Sequence, residues 1–394
     1  MINKLKKAKG LILPFLINFL SLFLFWLADV VVLSKYDTDT VSKWALLKSI
    51  IFISGSFITL GIDQAIVRLN LSYKDTLLPA VFQIFLLTSL TCAVLWLFGF
   101  DISYVYAFVI LFCYATILVT YSFERSKLNY SLALIIFNFW RIIFYLLIVA
   151  ATYKLIEVPL TIALLSSMIF LYKPLRNIKI SSLSFKEYKP ALKTGFYFFL
   201  STCSLNIILF IDQLLINGLG DKVSSEIFFS HVTFFISPFA AFLGFTGFLL
   251  TPYLRENKKK AFEMLRKYLL LFIFAGILAI VAYYFFAGWL FSAVKKKENI
   301  HWLGIILSGI LFARYLLLIP SSYFGAFGDN KLIRKVSVLY NVINVVYLGT
   351  AFILFYILKE DILFAISVSL LLTWTLRALI GYKGLFELKR NSST

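Results

Sequence analysis

The sequence predicts an all-α polytopic membrane protein of about 12 transmembrane helices arranged as two six-helix bundles. Three observations carry this. Of 394 residues, 61% are hydrophobic and 14% charged, with a mean hydropathy of +0.91, whereas a soluble domain carries about 25% charged residues. The apolar residues gather into runs near the roughly 20 residues that cross a bilayer as a helix. Polar residues inside those runs also recur: Asp29 and Lys48 have counterparts in Asp212 and His231, each 183 positions on, with Ser54 and Ser237, Leu60 and Leu243, and Gly61 and Gly244 at the same offset.

The runs are apolar all round, so length and the polar residues between them define the elements. The first, Leu11 to Leu33, follows Lys4 to Lys9 and lacks a small-x-small cleavage site, so it is expected to be a retained helix. Trp44 to Val67 lies between Lys43 and Arg68, and Leu77 to Phe98 follows Lys74. Tyr104 to Tyr121 ends before Arg125, Tyr130 to Ala151 lies between Lys127 and Lys154, and Pro159 to Tyr172, the shortest of the first half, ends at Lys173. The second half continues with Thr194 to Asn217, Ile227 to Leu250, Tyr268 to Phe291, Trp302 to Phe324, Val336 to Tyr356 and Ile362 to Ile380. Residues 173–193 are basic, contain Pro174 and Pro190, and fall where the repeat needs a boundary. They are expected to be a cytoplasmic linker joining bundles 1–172 and 194–394, which are parallel repeats.

Most Lys and Arg residues fall in the loops on the side of both termini, which the positive-inside rule makes cytoplasmic. The same bias accounts for the net charge of +19 without a nucleic-acid partner. Cys92, Cys113 and Cys203 fall inside apolar runs, where a free thiol packs as a small apolar group, and indicate neither a disulfide framework nor a metal cluster. No GK[ST] phosphate loop, HExxH or CxxC pair is present, so neither ATP hydrolysis nor metal chemistry is expected, and no cofactor. Transport is the activity left.

Charges within spans are costly and default to functional hypotheses. Arg141 and Arg314 lie near the middle of their runs with no acid in the same helix, which suits an anionic ligand held by guanidinium groups; Phe137, Trp140 and Tyr145 lie near enough to stack on sugar faces beside Arg141. Asp29 and Lys48 lie at matching depth on adjacent runs and can pair across the hairpin. Asp212 and His231 repeat that spacing with a base that titrates near neutrality, a candidate for gating or proton coupling. Asp63, five residues before Arg68, is read as a gate or a cap, and Arg377, near the end of the last run, as interfacial. Pro238 and Pro320 fall inside spans and should kink them, as hinges or static bends.

At the first hairpin, YDTDTVSKWALLKSIIFISGSFITLGIDQAIVRL (36–69) resembles the Wzx-type O-antigen and polysaccharide flippases, through Gly61, Ile62, Asp63, Ala65 and Arg68. FIDQLLINGLGDKVSSEIFFSHVTFFISP (210–238) resembles the same family in the second half. Thr246 and Thr251 stand opposite Asp63 and Arg68, so the repeat departs from itself there. The resemblance implies a MATE-like architecture, alternating between inward- and outward-facing V shapes, in the bacterial inner membrane. Its implied cargo is an undecaprenyl-pyrophosphate-linked oligosaccharide. Arg141, Arg314 and Lys48 would hold the cargo, with membrane lipids, a polysaccharide polymerase and a chain-length regulator as partners. A MATE-type multidrug exporter shares the architecture but would be expected to carry unpaired acids in its cavity. A membrane glycosyltransferase or polymerase would need larger outer loops than these, with Asp37 and Asp39 as its candidate acids.

Overall fold

A computed structural model describes residues 2–172, 185–256, 258–295, 299–328 and 330–391, and among them every regular element is a helix. In chain order these are α1 (Ile2–Lys35), α2 (Thr38–Thr59), α3 (Ile62–Leu69), α4 (Tyr73–Leu97), α5 (Tyr104–Ser126), α6 (Tyr130–Ala150) and α7 (Glu157–Ser167), then α8 (Phe185–Leu219), α9 (Lys222–Phe235), α10 (Ser237–Glu256), α11 (Lys258–Lys295), α12 (His301–Phe327), α13 (Asn330–Phe352) and α14 (Ile362–Asn391). Among the described residues, ten helices are long and apolar enough to cross a membrane, and eleven if the bent pair α9–α10 is one span. The chain is a multi-pass membrane protein.

Three of the twelve expected runs differ in detail. The sixth forms α7 and a single 3-10 turn (Met168–Leu171); at 1.5 Å per residue the two together fall short of a hydrocarbon core about 30 Å thick. The eighth is broken, with α9 and the first part of α10 meeting at 47°. Pro238 sits in the first turn of α10, where its missing N–H and its ring prevent α9 from continuing. The second run stops early. Leu60 (φ 45°) and Gly61 (φ 74°) are both left-handed and separate α2 from α3. A Cβ at Gly61 would overlap the carbonyl oxygen of Gly195 in α8, so backbone presses on backbone there. Elsewhere α12 runs unbroken through Pro320, and α8 begins at Phe185 and takes in Pro190. Residues 173–184 of the expected linker, with Pro174, lie outside the described residues.

The chain divides into two compact units, Met1–Leu214 and Leu215–Thr394. In the first, α1 lies along α6, and α5 packs against α2, α3, α4, α6 and α7. Aromatic residues tie this core: the Trp44 and Phe144 rings stack at 4.6 Å, and Phe25 meets the Trp140 edge at 5.2 Å. In the second unit, α12 packs on α10, α11 and α14, and α14 also carries α13. An Asp starts the second helix of each repeat: Asp37 Oδ1 accepts from Thr40 N at 2.9 Å, and Asp221 Oδ1 from Ser224 N at 2.6 Å. Each carboxylate satisfies an otherwise orphaned helix N–H.

Candidate functional site

In the first unit, Lys48 of α2 donates to Asp29 Oδ2 of α1 at 2.5 Å, and Trp44 Nε1 donates to Oδ1 at 2.9 Å. Asp29 is 1% exposed, so this ion pair is removed from solvent. Phe25, one turn earlier on α1, carries Lys48 Nζ 4.9 Å and the Arg141 guanidinium 5.3 Å from its ring centre. Arg141 in turn donates to Asn138 Oδ1 at 2.7 Å and lies over Phe137 and Trp140 at 4.8 and 5.5 Å. These two rings thus pack on the guanidinium. Arg141 is buried and, among the described residues, makes no ion pair; its Nε and the Trp140 Nε1 make no hydrogen bond.

A cavity of about 320 Å³ opens between α2, α3, α5, α6 and α8. Its walls are Phe52, Tyr114, Leu118, Tyr121, Phe137 and Phe199, and its polar lining is Ser56, Thr59, Asp63, Gln64, Arg125, Thr202 and Asn206. The break at Leu60–Gly61 is what turns α3 so that Asp63 and Gln64 reach this space. Gln83 of α4 holds the break, donating through Nε2 to Ile58 O and Thr59 O at 3.1 and 3.0 Å, and accepting from the Tyr188 hydroxyl of α8 at 2.6 Å. Asn206 bonds Phe52 O and Ser56 Oγ, joining α8 to α2. Asp63 accepts from Gln64 Nε2 at 2.9 Å, while Arg125 rests over Tyr121 at 6.0 Å. Neither makes an ion pair among the described residues.

Asp212 lies in the first unit and His231 in the second. Asp212 Oδ1 accepts from Gln213 N at 2.7 Å. His231 Nδ1 lies 2.8 Å from Ile227 O, and Nε2 accepts from Ile300 N at 3.2 Å, so both ring nitrogens are engaged by backbone in the neutral imidazole. The ring packs between Phe235 and Phe291 at 5.9 and 4.6 Å. Also in the second unit, Arg314 and Arg377 both lie over Trp374, at 5.1 and 5.6 Å, and Arg377 lies 4.7 Å from the Tyr340 ring. Arg377, read from the sequence as interfacial, is 1% exposed and so is packed within the unit.

Among the predicted residues, then, Asp29, Lys48 and Arg141 share one cluster, Asp63 lies on the cavity, and Arg314 stands in the other unit. Sequence reasoning missed Arg125, Gln64, Tyr121 and Asn206 on the cavity, and Gln83 beneath it. Arg125 had been assigned to the cytoplasmic charge bias, which explains a basic residue at a helix end equally well.

No protein-family model matches the chain, and no curated protein matches it. Solved structures do. A multidrug resistance MATE family transporter of the MOP superfamily, in its inward-facing conformation, superimposes with a TM-score of 0.61 at 16% identity, over 95% of this chain and 96% of that one. Such a transporter in the outward-facing conformation gives 0.58 at 16% identity, over 97% and 95%. A eukaryotic MATE transporter, AtDTX14, gives 0.59 at 14% identity, over 95% and 93%. The chain has the MATE fold. At identities of 14–16% the likeness is one of fold.

Proposed function

We propose that the chain is a transporter that moves an amphiphilic cargo across the membrane by alternating access. One observation carries this reading: a bundle with the MATE fold encloses an aromatic-walled cavity whose acid and base, Asp63 and Arg125, pair with no charged residue among those described. An acid and a base that line one cavity of a membrane protein without a fixed ionic partner point to a role with a ligand.

Two cargoes divide the support. The solved neighbours favour a multidrug exporter of the MATE kind, and Asp63 supplies the unpaired cavity acid that such an exporter was expected to show. A flippase for an undecaprenyl-pyrophosphate-linked oligosaccharide is supported by Arg141, a buried cation with no ion pair among the described residues, together with the first-hairpin resemblance. Of the two, the comparisons support the exporter better. In the flippase reading the chain sits in a bacterial inner membrane with both termini cytoplasmic, and Arg141, Arg314 and Lys48 attend the anionic head.

Deleting the gene separates them. Accumulation of a complete lipid-linked oligosaccharide on the cytoplasmic face, with unchanged drug susceptibility, selects the flippase; raised susceptibility to cationic drugs with normal surface polysaccharide selects the exporter. Absence of both phenotypes on deletion, where the parent strain is shown to express the protein, would overturn the transporter reading.

A further inference from the structure

The cavity of the first unit holds opposite charges that are not spent on each other. Asp63 is fixed at the start of α3 by the Leu60–Gly61 break, and the partners of its carboxyl are neutral: the Gln64 amide at 2.9 Å, the Thr59 hydroxyl and backbone N–H groups. Arg125 ends α5 with its guanidinium over Tyr121. A cavity that wanted only an anion would gain nothing from a carboxylate on its wall, and one that wanted only a cation would be opposed by Arg125. A ligand carrying both charges satisfies each wall at once and brings no net charge into the apolar bundle.

We infer that this cavity binds a zwitterionic head group, with an ammonium against Asp63 and a phosphate or carboxylate against Arg125. Tyr114 supplies aromatic surface that a quaternary ammonium and its neighbouring carbons can pack on. The volume of about 320 Å³ suits one head group. The inference rests on the transporter reading for what the ligand is for, though not for whether it binds.

Calorimetric titration of the purified full chain in maltoside micelles tests it. The probes share a dodecyl tail and differ in head: phosphocholine, phosphate monoester and trimethylammonium. The phosphocholine probe should bind about tenfold or more tighter than either singly charged probe, since each lost charge-assisted contact costs about that factor. Asp63→Asn should weaken phosphocholine and trimethylammonium binding and leave the phosphate probe unaffected; Arg125→Gln should weaken phosphocholine and phosphate and spare trimethylammonium. Unchanged melting temperatures establish that both variants fold, and Arg125→Lys should restore phosphate binding in part.

Glycerophosphocholine, which has no tail, separates the two sources of such a head: binding without a tail points to a soluble solute, and binding only with one points to a bilayer lipid or lipid-like cargo. Equal affinity for all three tailed probes, or variants that change none of them, overturns the inference. Transport in proteoliposomes is scored separately. Cargo movement without zwitterion preference sinks only the inference, whereas selective binding without movement of any cargo sinks only the transporter reading.

Discussion

Asp29 and His231 face the same problem, a polar group inside an apolar helix, and the two repeats solve it differently. In the first, Asp29 is neutralised by Lys48 from the next helix and steadied by Trp44. In the second, the base at the position of Lys48 spends both ring nitrogens on backbone, one within its own helix and one at the start of α12. The spacing of 19 residues between acid and base was kept, and the chemistry was not. The breaks differ as well. Gly61 lies at a left-handed break between helices, whereas Gly244, its partner in the repeat, is inside α10 with open space around it. A spacing that recurs in the sequence thus marks where polar groups enter apolar helices better than what they do there.

The comparison is tested hardest at Lys48. Lys48→Ala strands a buried carboxylate and should cost about 3–5 kcal/mol, read as a large drop in melting temperature in detergent; Asp29→Asn with Lys48→Met, which removes both charges, should recover most of it. A loss below about 1 kcal/mol for Lys48→Ala would mean that the pair is not fixed as described. Next come the glycines. Gly61→Ala must hold a left-handed backbone, at about 1–2 kcal/mol, and also overlap Gly195, whereas Gly244→Ala should stabilise α10 by about 0.5–1 kcal/mol. Opposite signs in thermal unfolding are expected, and equal effects would contradict the asymmetry.

His231→Gln gives a smaller effect. It should lose about 1 kcal/mol of hydrogen bonding and leave the shape of the transport rate against pH unchanged across neutrality, because the neutral ring already has both partners. A shifted profile would restore His231 as the proton-coupling element expected from its titration range.

The smallest changes belong to the two caps. Asp37→Ala and Asp221→Ala should each cost about 1 kcal/mol. Backbone N–H groups, from Thr40 and Ser224 respectively, hold both carboxyls below their ordinary value of 3.8. A depressed carboxyl contributes fully above that value and loses its contribution as the pH falls through the folded value, so variant and parent should converge in melting temperature in strong acid.

What was legible followed from local chemistry. Apolar length marked ten helices and the broken eighth run, because a bilayer requires it, and Pro238 marked the bend through its own missing N–H. What was illegible came from partners distant in sequence. Gly61 is the one local sign of the break after Leu60, as a glycine free to turn left-handed, while what holds the break, Gln83 on α4 and the close approach of Gly195 on α8, is distant in sequence. The burial of Arg377 was likewise illegible, because its ring partner Tyr340 lies on α13. For the site, the pairing of Asp29 with Lys48 was readable from matched depth, and an unpaired Arg141 from the lack of an acid in its helix. Arg125 was not readable as a cavity residue, because the same residue also serves topology.

The crossing of Gly61 and Gly195 has a genetic consequence. Elsewhere in a packed protein, an enlarged side chain can be rescued by trimming its neighbour. Here each position is the other's neighbour and both are already at the smallest size, so neither has anything left to remove. Suppressors of a substitution at Gly61 should therefore map away from Gly195, to residues such as Gln83 and Tyr188 that set how the two backbones are held.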